Sequence, residues 1–155
     1  MVAQAAAIRL CSEEDLEHFD ALGSPHHTQY CREEYARGAE ALTILVAVEA
    51  DDRPIGKVHL DFEARAAKRA AVLLAASVTP PLRGRGIGTE LMREAEEFAC
   101  GRGFGEIVLG VEDANPRARR LYERLGYQAF ATGNFFYLGA PVPNPGVWMR
   151  KELEC

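Results

Sequence analysis

No stretch of this chain approaches the eighteen or so consecutive apolar residues that a membrane-spanning helix requires, so no span is expected. The first seven residues lack a cationic segment followed by a long apolar one, and no secretion signal is expected. Cysteine is sparse: Cys11, Cys31, Cys100 and Cys155 are widely scattered and form no Cys-x-x-Cys pair. That pattern speaks against zinc and against a disulfide frame, and it leads us to expect reduced thiols in a cytoplasmic protein. Net basic charge is absent too. At a formal net charge of -5 the chain is not expected to bind nucleic acid generally, although Arg65, Lys68, Arg69, Arg83 and Arg85 form a local positive region. Repeats and low-complexity tracts are also missing. What is present is ordinary for a globular protein: 155 residues, 48% hydrophobic and 26% charged. A chain of this length buries roughly 70% of the surface its unfolded form exposes, so one domain over residues 1–155 is expected.

The strongest local signal is Val78-Thr79-Pro80-Pro81-Leu82-Arg83-Gly84-Arg85-Gly86-Ile87-Gly88-Thr89. Residues 70–78 before it carry no charge, as suits a central strand buried on both faces. After it, Ile87, Leu91, Met92, Ala95, Phe98 and Ala99 recur at helical spacing. The glycines therefore fall at a helix N-terminus, where backbone N–H groups and the helix dipole favour an anion. Arg83 and Arg85 add charge. A Walker loop needs a Gly-Lys-Ser/Thr ending, and no lysine stands near. A dinucleotide fingerprint counted from Gly84 fails at its third glycine, where Thr89 stands. Arg-x-x-Gly-x-Gly, read as Arg83, Gly86 and Gly88, is what remains.

A second segment, Asn115-Pro116-Arg117-Ala118-Arg119-Arg120-Leu121-Tyr122-Glu123-Arg124-Leu125-Gly126-Tyr127, reads as a capped helix. Asn115 can cap, Pro116 suits the first helical position, Ala118, Leu121, Tyr122 and Leu125 make one stripe, and Gly126 stops it. Together the two motifs, about thirty residues apart, resemble the acetyl-coenzyme A loop and the Asn-x-x-Ala-x-x-Leu-Tyr-Glu-x-x-Gly-Phe/Tyr segment of the GCN5-related N-acetyltransferases.

Elsewhere the pattern predicts a short strand over 5–10, a helix from Ser12 and Asp15 with Leu16, Phe19 and Leu22 inward and Gly23 at its end, and a turn at Ser24-Pro25-His26-His27. A second short helix runs from a Thr28 cap through Arg37 to Gly38. A hairpin pairs 42–49 with 55–62, Val58, Leu60 and Phe62 alternating with Lys57, His59 and Asp61. A strand covers 106–111. The segments 127–131 and 147–153 read as a last strand pair around a Pro-, Gly- and aromatic-rich loop.

The resemblance implies an α/β (α+β) fold: a mixed, mostly antiparallel sheet of six to seven strands with helices on both faces and splayed, parallel fourth and fifth strands. It implies acetyl-CoA as co-substrate and no metal. Ala76, Ser77 and Val78 would offer backbone partners to the pantetheine arm, the Val78 N–H polarising the thioester carbonyl. Arg83, Gly84, Arg85, Gly86, Ile87, Gly88 and Thr89 would hold the pyrophosphate, and Asn115 would touch the arm. Tyr122 occupies the family's proton-donor position, although periodicity alone makes it a core aromatic. Many relatives place a glutamate on the fourth or fifth strand as base. Here the fourth strand has no acid and the matching fifth-strand residue is Gly110; Glu112, Asp61, Glu63 and His59 are alternatives, each read as an exposed strand-edge residue. The amine acceptor, a small molecule or a peptide or protein, would meet His26, His27, Tyr30, Glu33, Glu34, Phe135, Phe136 and Tyr137, the simpler reading being turn histidines, a solvated glutamate face and a packed flap. A homodimer is frequent in the family. A member that only binds acyl-CoA as a regulator is the alternative.

Overall fold

Alternation along two adjacent strands decides how this sheet is covered. In the computed structural model, which describes residues 7–22, 25–135 and 143–155, β2 (Leu42–Val48) and β3 (Pro54–Asp61) are buried along their whole length. Successive side chains of a strand point to opposite faces. Leu42, Ile44, Val46 and Val48 accordingly join Leu16, Phe19, Leu22 and Cys31 in one cluster. Leu45 and Ala47 join Val58, Leu60, Leu91, Met92 and Ala95 in the other. The first face is covered by a 3₁₀ helix, Glu13–Leu22, and by α1 (Pro25–Ala36). The second is covered by α2 (Ile87–Gly101), whose Ile87, Leu91, Met92, Ala95 and Ala99 are buried. Each fully buried Leu, Ile or Met there contributes roughly 1.5–3 kcal/mol through removal of apolar surface from water.

Among the described residues seven strands form one sheet: β1 (Ala7–Leu10), β2, β3, β4 (Ala70–Val78), β5 (Glu106–Glu112), β6 (Gln128–Phe135) and β7 (Asn144–Glu152). Their spatial order is β1-β2-β3-β4-β5-β7-β6. Every neighbouring pair is antiparallel except β4 and β5. The parallel ladder runs only from Ala70↔Glu106 to Leu73↔Leu109, although both strands continue beyond it. Past Leu73 the two strands part, and the gap opens toward their C-terminal ends. β4 also bulges there: Lys57 pairs with Ser77 and His59 with Leu74, so Ala75 and Ala76 together oppose Val58. The seven strands, the splay and the helices on both faces agree with the expected fold.

Several local expectations are corrected. The segment after Ser12 is a 3₁₀ helix. Residues 25–28 are the start of α1 and not a turn with a Thr28 cap, because Pro25 suits a first helical position; the Thr28 hydroxyl donates to Asp20. Gly23 and Ser24 lie outside the described residues. Gly38 ends the segment as expected, at φ +87 with its N–H on Tyr35 O at 3.2 Å. The last strand pair extends further than its periodicity, and β7 inserts between β5 and β6. Cys100 and Cys155 form a disulfide, against the expectation of reduced thiols throughout; Cys11 and Cys31 are free. Cys100 lies in the last turn of α2, and the tail after β7 returns to it with a Cα separation of 5.4 Å, a proximity hidden by a sequence separation of 55. Among the described residues no helix is long and apolar enough to cross a membrane.

Candidate active site

The glycine turn is built by three successive local choices. Pro80–Leu82 forms a single 3₁₀ turn, the Arg83 Nε–H donates back to Val78 O at 2.9 Å, and Gly84 and Gly86 take φ +78 and +87. Those left-handed conformations are open to glycine and costly to other residues. Gly86 is the N-cap of α2 and supplies no capping side chain, so the first-turn N–H groups are directed at the space beyond the turn. Gly88 is different: a Cβ there would meet only Leu121 at 3.7 Å, an ordinary contact.

α3 (Pro116–Arg124) forms the facing wall. Asn115 caps it by accepting the Ala118 N–H at 3.2 Å, with Pro116 next. Its Tyr122 is 8% exposed, in edge contact with Tyr127 at 6.1 Å between ring centroids. Burial raises the Tyr122 phenol above its ordinary value, so it holds its proton at neutral pH.

Between the glycine turn, α3 and the parted edge of β4 lies a cleft of about 500 Å³. Ala76, Ser77, Val78, Arg83, Gly84, Gly86, Ile87, Gly88, Thr89, Asn115 and Tyr122 all line it. Arg85 does not: placed between two left-handed glycines, it is exposed. Thr79 N–H is spent on Ile55 O at 2.8 Å. By strand alternation the preceding Val78 N–H points the other way, toward the gap that β5 leaves. The sequence did not single out Lys57, Arg117 and Arg124, which also line the cleft. Arg117 approaches so near that a Cβ at Gly84 would lie 2.9 Å from its Nη2. Both arginines occupy variable positions of the second motif, and only tertiary contact reveals their direction. Of the basic residues noted in sequence, Arg69 donates to Gly103 O and is committed to that turn.

No carboxylate takes the base position on β5. The Phe135 ring sits against Gly110, where a Cβ would lie 2.7 Å from Cζ. Glu112, two residues on, has a buried Oε1 without a partner, and desolvation raises its carboxyl above the usual range. The expected exposed edge on β3 is not there: His59 and Lys57 are 0% exposed and Asp61 is 7%. β3 lies inside the sheet, and α1 covers that face. Burial pushes the Asp61 carboxyl up, but Arg37 at 3.1 Å and the Glu63 and Ala64 N–H groups together hold it below its ordinary value. Glu63 stays exposed and pairs with Arg37 at 3.0 Å. Burial, then the nearby Lys57 charge, drives His59 well below the usual imidazole range, so it is neutral.

On the α1 face the acceptor candidates separate. Tyr30 donates to Glu34 Oε1 at 2.7 Å and stacks on His59 at 5.9 Å. Glu34 is buried, not solvated, while Glu33 is exposed. His27 is half-buried in α1 and lowered to about 4, by burial first and Lys57 second. Phe135 packs on Trp148 at 5.1 Å. The side chain of His26, and Phe136 and Tyr137, lie outside the described residues. Among the described residues no group of three His, Cys, Asp or Glu could hold a metal ion.

A glycine-opened helix, a facing capped helix and a central strand parted from its parallel neighbour define an acetyltransferase architecture, and known proteins agree. Residues 8–127 match the model of the acetyltransferase (GNAT) family. The chain belongs to that family. It is 40% identical over 62 residues to a streptothricin acetyltransferase of Streptomyces lavendulae, a match covering 40% of this chain and 33% of the relative. The chain thus spans about a third of the length of that curated relative. Among solved structures, spermidine N-acetyltransferase from Vibrio cholerae in complex with CoA and spermine superposes with a TM-score of 0.76 at 20% identity, covering 94% of both chains. The Escherichia coli N-acetyltransferase of a ribosomal-protein alanine gives 0.77 at 16% identity, covering 96% of this chain and 94% of that one.

Proposed function

We propose that this protein transfers an acetyl group from acetyl-CoA to a primary amine of a small molecule or a peptide, by direct attack within a ternary complex. One observation carries the reading: the cleft joins the glycine turn, the α3 motif and the free edge of β4, three segments separated in sequence. The site suits the donor chemically. Uncapped N–H groups at the start of α2, with Arg83, Arg117 and Arg124, match a pyrophosphate, and the strand edge at 76–78 matches the amides of an extended arm. The Val78 N–H faces the thioester carbonyl and stabilises the oxyanion as the amine attacks. Tyr122, proton-bearing and at the cleft wall, protonates the departing thiolate.

A specific observation keeps a regulatory acyl-CoA-binding reading as the second: Phe135 fills the place where a base would stand at Gly110. Thiol release from acetyl-CoA, followed against pooled amines and peptides, separates the two. Turnover with any acceptor supports catalysis, and saturable binding without turnover supports regulation. A cytoplasmic setting and a homodimer belong to the proposal; the redox state of Cys100 and Cys155 in cells and light scattering test them.

A further inference from the structure

A buried cation lies against the β4 bulge beside the cleft. Ala75 sits at φ +52, a left-handed conformation that a non-glycine residue keeps only when its surroundings impose it. The bulge turns the part-buried Ala75 carbonyl out of the ladder, where it needs another donor, and the Ser77 hydroxyl reaches it only at 3.5 Å. Lys57, on the opposing strand and 0% exposed, supplies it: Nζ lies 2.9 Å from Ala75 O. A second N–H of the ammonium meets His59 Nε2 at 3.1 Å, and the Phe19 ring lies 5.7 Å from Nζ. Among the described residues no carboxylate forms an ion pair with Lys57; the ionisable groups around it are Cys11 after β1, His27, Cys31 and Glu34 on α1, and His59 on β3. A buried ammonium without a counter-ion is expensive, and an apolar side chain would fill a plain core position more cheaply. The residues that follow the bulge, Ala76, Ser77 and Val78, are the cleft's strand edge.

We propose that Lys57 is a positioning residue: by pinning the Ala75 carbonyl it sets the bulge and thereby the direction of the backbone groups at 76–78 that receive the donor's extended arm. This rests on the acetyl-CoA reading of the cleft. The glycine turn begins five residues further on and is shaped by the Pro80–Leu82 turn and the positive φ of Gly84 and Gly86, so it meets the Lys57-directed segment only through the Arg83 Nε–H bond to Val78 O.

Calorimetric titration with acetyl-CoA and with 3′-phospho-ADP, which has the diphosphate head but no arm, tests it. Lys57→Met weakens acetyl-CoA on the order of tenfold and leaves 3′-phospho-ADP within about twofold, because lost hydrogen bonds to the arm are worth that much. Lys57→Gln, which keeps an N–H donor, recovers most of the loss. In an Ala75→Gly background, where glycine takes the positive φ without strain, Lys57→Met costs less than about threefold. Equal weakening of both ligands, no weakening of acetyl-CoA, or a Lys57→Gln protein as poor as Lys57→Met each overturns the proposal. Should Lys57→Met fail to fold, Lys57→Gln and the Ala75→Gly double variant carry the same comparison. If the unaltered protein binds neither ligand, the cleft reading fails and this inference with it; if it binds both and the variants change neither ratio, this inference alone fails.

Discussion

The ring of Phe135 on β6 packs against Gly110 on β5, leaving no room for a Cβ. Any side chain at Gly110 displaces that ring, and Trp148 behind it is already in contact. Gly110→Glu therefore lowers stability by roughly 1–3 kcal/mol through overpacking. Combining it with Phe135→Ala returns part of the loss, since the larger ring no longer competes. Thermal unfolding of the two single variants and the double variant checks this, and simple additivity would refute it.

Gly86→Val separates ligand binding from packing. Nothing lies within 4 Å of a Cβ built at Gly86, so the expected loss of about 1–2 kcal/mol comes from the left-handed backbone. Acetyl-CoA affinity falls by about tenfold or more as the first-turn N–H groups shift and the branched side chain intrudes. Fluorescence or calorimetric titration beside a melting curve reads both effects.

Tyr122→Phe removes one hydroxyl from the wall of the cleft. With the phenol as proton donor, turnover drops by about a hundredfold or more while the affinity for CoA stays nearly constant. An unchanged rate would return Tyr122 to the role of a core aromatic.

Acid sensitivity is expected from Asp15. Burial raises its carboxyl, but the Arg9 guanidinium at 2.7 Å and the Ser12 N–H at 2.7 Å outweigh that and leave it lowered from 3.8. A lowered folded-state value means that the unfolded chain takes up the proton first. The stabilisation is fully present above the ordinary carboxylate value and is lost as pH falls through the lower folded one. Asp61 acts with the same sign. Asp15→Asn costs about 1–3 kcal/mol at neutral pH and flattens the acid limb of a stability-against-pH curve.

The Cys100–Cys155 bond ties the end of α2 to the tail after β7. Reduction lowers stability by about 2–4 kcal/mol, because the unfolded chain is released from a long closed loop. Thiol titration in denaturant without reductant finds the two thiols of Cys11 and Cys31, and a count of four would show that the bond does not form.

Local chemistry was written plainly in the chain. The apolar run of β4, the glycines that must turn left-handed, the Asn115 cap with Pro116, and the apolar stripe of α2 each depend on near neighbours, so spacing and residue type alone settled them. Resemblance to a family added the splayed, parallel fourth and fifth strands that local pattern cannot give. Tertiary structure decided what distance in sequence conceals: that β7 enters between β5 and β6, that Phe135 closes over Gly110, that Cys100 meets Cys155, that His59, read as an exposed strand-edge residue, is buried, and that Lys57 on the same row lies against Ala75 O. The reason is physical. Period-two alternation names two faces of a strand but not what will cover each, and whether a polar row is wet or buried is settled only when α1 and the 3₁₀ helix pack onto it.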